Sequence, residues 1–116
     1  MESRRRPKRV ANVIQEALGR IFVREFQGGG SGLITVTRVE MTADLRSARV
    51  YLSLFGDLDE AEAWEQIEKR KGHLRKSIAS EIKLRYNPDL VFVRDPAPEY
   101  ESRLDKLMDH LKDDEE

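Results

Sequence analysis

Leu33-Ile34-Thr35-Val36-Thr37-Arg38-Val39-Glu40-Met41, then Thr42-Ala43-Asp44-Leu45-Arg46-Ser47, then Ala48-Arg49-Val50-Tyr51-Leu52-Ser53-Leu54-Phe55 is the stretch whose pattern decides the fold. Its first part is rich in β-branched residues. Its last part alternates, with Ala48, Val50, Leu52 and Leu54 on one face and Arg49, Tyr51, Ser53 and Phe55 on the other. The polar middle turns the chain. The whole predicts an antiparallel hairpin, aliphatic on the face that meets the preceding helix and basic and aromatic on the other.

That helix is predicted over residues 3–26. Val10, Val13, Ile14, Ala17, Leu18, Ile21, Phe22 and Phe26 follow a 3-1-3-1 spacing that makes one buried stripe, with Glu16 and Arg20 on the outer side. Pro7 is expected in the first turn, where its missing N–H does no harm. Gln27-Gly28-Gly29-Gly30-Ser31-Gly32 then forms a flexible connection. A phosphate-cradling loop would need a strand before it and a helix after it, the reverse of the order here.

Beyond the hairpin, Gly56 ends the strand and Asp57 is the expected N-cap, with Glu60 three residues on as in a capping box. Asp59, Glu60 and Glu62 sit where the helix dipole favours acids. Ala61, Trp64 and Ile67 start a buried stripe that continues through Lys71 to Leu74, Ile78 and Ile82. A charged residue in the stripe beside Gly72, which costs about 1 kcal/mol inside a helix, predicts two helices meeting at a kink around Arg70-Lys71-Gly72. Tyr86-Asn87-Pro88-Asp89 is a turn. Leu90-Val91-Phe92-Val93 is a third strand, apolar on both faces and so expected to be well covered. After Asp95-Pro96-Ala97-Pro98 comes a helix with Tyr100, Leu104, Leu107, Met108 and Leu111 on one stripe, then the acidic tail Asp113-Asp114-Glu115-Glu116. The expectation is one α+β domain over residues 1–95, a three-stranded sheet packed on helices, followed by a linker, C-terminal amphipathic helix and tail over 96–116.

A chain of 116 residues suits one such domain. It has no cysteine, which excludes disulfides, thiol catalysis and cysteine-ligated metals. No apolar run is long enough to span a bilayer, and the basic N-terminus lacks the apolar core of a secretion signal; a cytoplasmic protein is expected. The net charge of −1 hides blocks: residues 1–56 carry +5, 57–68 carry −6, 69–94 carry +6 and 95–116 carry −6. Two basic blocks that meet in space would suit a polyanion.

Enzymatic chemistry finds little footing. His73 and His110 stand in different elements without a nucleophile motif. Ser31 lacks a strand–elbow–helix setting. The carboxylates show no metal-binding loop pattern, and Asp59 and Glu60 are explained by capping. No cofactor or small-molecule substrate is expected. Nucleic-acid binding fits better. Arg4, Arg5, Arg6, Lys8 and Arg9 cluster at a helix N-terminus, where positive charge opposes the dipole and a partner is the economical explanation. Arg46 lies in the hairpin turn. Lys69, Arg70, Lys71, Gly72, Arg75, Lys76, Lys83 and Arg85 form the second block, where Gly72 would let a backbone approach closely. Arg49, Tyr51 and Phe55 offer a basic–aromatic face. The alternatives are a protein–protein adaptor using the acidic helix and tail, and a general binder of unrelated RNA strands.

The stretch Gly32 to Ser53, with Val39-Glu40 before the turn and Asp44-Leu45 in it, resembles the bacterial ribosome-binding factor A family. So do Arg5-Arg6-Pro7-Lys8-Arg9-Val10, Gly72-His73-Leu74-Arg75, the run Leu84-Arg85-Tyr86-Asn87-Pro88-Asp89-Leu90-Val91-Phe92, and Arg103-Leu104. The resemblance implies a type II KH-like domain that is not an enzyme and binds the free small ribosomal subunit; a monomer is expected because nothing apolar is left over for a large interface. It would assist late 16S rRNA maturation and matter most in the cold. It also implies a kink of Ala-x-Gly type at Arg70-Lys71-Gly72, in place of the usual KH G-x-x-G loop. Two departures stand out: Arg70 where the family prefers alanine, and Gly28-Gly29-Gly30 where it often has Asp-Pro-Arg. On this basis the cations of both blocks are expected to converge into one continuous face for ribosomal RNA.

Overall fold

The computed structural model describes residues 2–26, 33–56 and 59–97, with side chains from Arg6 onward. Its elements are α1 (Glu2–Glu25), β1 (Leu33–Met41), β2 (Ser47–Phe55), α2 (Glu60–Lys69), α3 (Lys71–Glu81) and β3 (Asp89–Arg94). The expected C-terminal helix and tail, the glycine connection, Asp57, Ser31 and His110 lie outside the described residues.

β2 is the central strand, antiparallel to β1 and parallel to β3. The helices cover the face that carries Ala48, Val50 and Leu52, all fully buried together with Ile14, Leu18, Ile21, Phe22, Ile67, Leu74, Ile78 and Leu90. Burial of each large aliphatic side chain contributes about 1.5–3 kcal/mol, so this one layer carries the stability of the domain.

The helix break is where the stripe predicts it. Arg70, with φ −92° and ψ 4°, separates α2 from α3. Several expectations are corrected. α1 begins at Glu2, so Pro7 sits inside the helix rather than in its first turn and removes one intrahelical hydrogen bond. Val13 is exposed because the buried stripe is narrower than the apolar spacing. The cap of α2 is Asp59, whose Oδ1 accepts from the Glu62 N–H at 3.1 Å, which moves the helix start two residues on and leaves Ala61 exposed. Val91 is exposed and Val93 half-buried: among the described residues β3 is an edge strand with helices on one face only.

The hairpin also contains a bulge. Val36 pairs with Leu52 and Arg38 with Tyr51, leaving Thr37 as the extra residue. Thr37 is tied on three sides. Its hydroxyl has Asp95 Oδ2 at 2.9 Å and the Tyr51 carbonyl at 3.2 Å within donating reach, and its carbonyl accepts from Gln15 Nε2 at 3.3 Å. Ser53, the one buried polar residue of β2, donates to the Asp95 carbonyl at 2.7 Å. These bonds hold the chain leaving β3 against β2.

Candidate nucleic-acid interface

Two loops at one end of the sheet are held by their own polar atoms. In the β1–β2 turn, Asp44 Oδ1 accepts from the Thr42 hydroxyl at 2.6 Å and from the Arg46 N–H at 3.1 Å. The hydrogen bond from Thr42, then that from Arg46, holds the Asp44 carboxyl below the ordinary carboxylate range. The arrangement places Leu45 at φ 63°, a left-handed conformation that costs a non-glycine residue about 1–2 kcal/mol. In the α3–β3 loop, Arg75 reaches across to donate from Nε to the Pro88 carbonyl at 3.0 Å and from Nη2 to the Asn87 carbonyl at 3.1 Å. The Asp89 N–H donates to the Arg46 carbonyl at 2.8 Å and joins the two loops.

Tyr86 stands between them, partly exposed. The Arg46 guanidinium lies 4.6 Å from its ring centre and that of Arg85 5.5 Å. Arg6 and Val10 of α1, Leu45 of the turn, and Lys83, Leu84, Arg85 and Tyr86 of the loop line one hollow. Three stretches of chain thus bring Arg6, Arg46, Lys83 and Arg85 together, and among the described residues no carboxylate lines the hollow.

The remaining predicted cations go elsewhere. Arg4 and Arg5 lie in the first turns of α1, Arg9 is exposed, and Lys8 lines a separate groove toward β1 with Asn12, Gln15, Arg38 and Glu40. At the α2–α3 junction Lys69 pairs with Glu65 at 3.2 Å and Lys71 with Glu68 at 3.4 Å. Arg70 lies 5.1 Å from the Phe26 ring centre and donates toward the Glu25 carbonyl at 3.5 Å. His73 Nε2 lies 2.6 Å from Glu25 Oε1. Gly72 and Lys76 are exposed, and beyond its own helix a Cβ at Gly72 would meet nothing within 4 Å among the described residues, so no packing contact among them requires the glycine. Arg6 and Phe26 are separated by roughly 30 Å of helix at 1.5 Å per residue. Both blocks meet at the hollow, through Arg6 and Arg46 of the first and Lys83 and Arg85 of the second, while the α2–α3 junction cations lie apart from it, so the fold does not gather every predicted cation into one continuous face.

On the open face of the sheet, Arg38 lies 3.9 Å from the Tyr51 ring centre and shares Glu40 with Arg49, at 3.8 and 3.7 Å. The Tyr51 hydroxyl, then Glu40, raises the Arg49 guanidinium above its usual range. Sequence reasoning named Arg85 in the second basic block and Arg46 in the turn, and took Tyr86 only as the start of a turn. It missed the hollow, because nothing in Asp44-Leu45-Arg46 marks a left-handed leucine.

A sheet of three strands with α2 and α3 meeting at a single non-helical residue is the type II KH-like arrangement, here with a cation cluster at one end. The family profile described as Ribosome-binding factor A matches residues 6–108, and the chain belongs to that family. A ribosome-binding factor A from Halothermothrix orenii is 35% identical over 114 residues, 97% of this chain and 93% of that protein. The crystal structure of ribosome-binding factor A from Thermus thermophilus superposes with a TM-score of 0.65 at 20% identity, covering 76% of this chain and 93% of that one. A Thermus thermophilus homology model fitted into the cryo-EM map of a 30S complex gives a TM-score of 0.64 at 22% identity, covering 74% and 91%. Among the described residues no helix is long and apolar enough to cross a membrane.

Proposed function

We propose that this protein binds the free small ribosomal subunit and assists late maturation of its 16S rRNA, acting by binding alone and without a cofactor. Family membership and the 30S-bound relative support the partner. The observation that carries the mode of binding is the convergence of Arg6, Arg46, Lys83 and Arg85 around Tyr86, with no carboxylate lining the hollow among the described residues. Phosphate oxygens are the natural partners of such a cluster, and the counterions they release drive affinity. Arg75 acts in this scheme as a positioning residue, since its guanidinium is already engaged by loop carbonyls.

The test is co-sedimentation with purified small subunits across a salt series. Replacing Arg6, Lys83 and Arg85 together by glutamine should lower the magnitude of the salt slope by about 0.7 for each phosphate that is no longer neutralised. It should also weaken binding by about a hundredfold near physiological salt, each such phosphate being worth on the order of fivefold there. Unchanged affinity and slope would remove this surface from the scheme. A complex that survives digestion of the RNA would favour a protein-binding adaptor instead.

A further inference from the structure

The hollow beside Tyr86 is more than a cationic surface. It encloses about 120 Å³, close to the roughly 150 Å³ that takes a benzene-sized ring, and of its lining residues Val10, Leu45 and Leu84 are half-buried and make an apolar floor, while Arg6, Lys83, Arg85 and Tyr86 are exposed and make the rim. Gripping a phosphate backbone needs the rim only. An apolar floor offers a phosphate no hydrogen bond, and releasing water from it is favourable only when something flat and apolar enters. Leu45 makes the same point from the backbone: it holds a left-handed φ of 63° that glycine or asparagine would adopt freely, and its side chain is part of that floor.

Resting on the RNA-binding role proposed above, we infer that this hollow receives the base of one unpaired ribonucleotide, with the neighbouring phosphates on Arg6, Lys83 and Arg85. A base inside an A-form helix is stacked and closed to such a pocket, whereas a bulged or splayed base presents its ring face. The planar guanidiniums of Arg46 and Arg85 lie 4.6 and 5.5 Å from the centre of the Tyr86 ring, which lines the hollow, and a guanidinium plane is a surface on which a base stacks.

The experiment is fluorescence anisotropy with two labelled RNA hairpins, identical except that one carries a single unpaired adenosine in its stem. The wild-type protein should prefer the bulged hairpin by about tenfold, the size of one base-stacking contact. Val10→Phe fills the hollow and keeps every charge; Leu45→Gly removes part of its floor and relieves the backbone. Either should erase the preference while affinity for the paired hairpin stays within about twofold, far below the stacking effect. The Arg6, Lys83 and Arg85 triple variant should weaken both hairpins alike. Equal wild-type affinity for the two hairpins, or a preference that survives both floor variants, would overturn the base pocket and leave the subunit-binding role standing. Undiminished binding of both hairpins by the triple variant would overturn the RNA surface itself. Saturation by adenosine monophosphate alone, displacing neither hairpin, would assign the hollow to a free nucleotide and overturn the inference.

Discussion

At Tyr86, Arg6, Arg46, Lys83 and Arg85 arrive from three stretches of chain and line or flank one hollow, with no carboxylate in its wall among the described residues. At the α2–α3 junction, Lys69, Arg70 and Lys71 are consecutive, yet two of them pair with Glu65 and Glu68 and the third is drawn onto Phe26 and the Glu25 carbonyl. One oxygen of Glu25 is even left buried without a partner among the described residues. The difference follows from helix geometry. Residues three and four apart on a helix are neighbours, so a basic run joined to an acidic helix finds its counterions locally. Of the cations collected from separate segments, only Arg46 has a carboxylate described beside it, Asp44 of its own turn, and the field of Arg6, Lys83 and Arg85 stays available to a ligand.

The largest expected effect sets these regions against each other. Glutamine at Arg6, Lys83 and Arg85 should weaken small-subunit binding by about a hundredfold, whereas glutamine at Lys69 and Lys71 should change it by no more than about threefold, less than one phosphate contact. A reversed ranking in the sedimentation assay would break the comparison outright.

Next in size is Arg75, which belongs to the same basic block in sequence but serves the Tyr86 end as a brace. Its two hydrogen bonds hold the carbonyls of Asn87 and Pro88. Each bond from a charged donor is worth about 1.5–3 kcal/mol at most, less where solvent reaches it. Arg75→Ala should therefore lower the urea-unfolding free energy by about 2 kcal/mol, while Lys76→Ala, exposed at the next position, should leave it within about 0.5 kcal/mol. Equal effects would mean that Arg75 does not brace the loop.

Gly72 sharpens the other side. Beyond its own helix, nothing among the described residues lies within 4 Å of where its Cβ would be, so Gly72→Ala should stabilise the protein by about 0.5–1 kcal/mol and leave subunit binding unchanged. Stabilisation accompanied by a clear loss of binding would show that RNA backbone approaches the junction closely, and would make it a second contact surface.

Most of the fold was legible because period and composition are local. The alternation of Ala48 to Phe55, the stripe from Ile14 to Phe22, and Gly72 beside a charged stripe position each reported an element without knowledge of the rest. What was not legible depends on contacts between segments. Thr37 bulges because Asp95, 58 residues later, and Gln15, 22 residues earlier, bind it. Asp59 rather than Asp57 caps α2, and both have the right chemistry, so only the path of the chain out of β2 decides. The basic residues were all visible; their sorting into an open cluster and a neutralised one was not. Charge blocks count residues along the chain, whereas neutralisation depends on which carboxylate the fold sets beside each.

The smallest effect tests how the open cluster is held in place. Asp44 lies below the ordinary carboxylate range because the Thr42 hydroxyl and then the Arg46 N–H donate to it. A lowered folded-state value contributes stability that is present above the ordinary carboxylate range and is lost as pH falls through the folded value. Side-chain carboxyl NMR should find the Asp44 midpoint depressed in the wild type and returned toward normal in Thr42→Val, which removes the leading donor. Because Arg46 reaches Tyr86 from this turn, the Tyr86 ring resonances should titrate with the Asp44 midpoint and shift with it in the variant. Ring resonances indifferent to Asp44 would mean that the turn does not place Arg46. The Tyr86 cluster would then owe its assembly to the α3–β3 loop alone, and the bracing role would fall on Arg75 and the Asp89–Arg46 backbone bond.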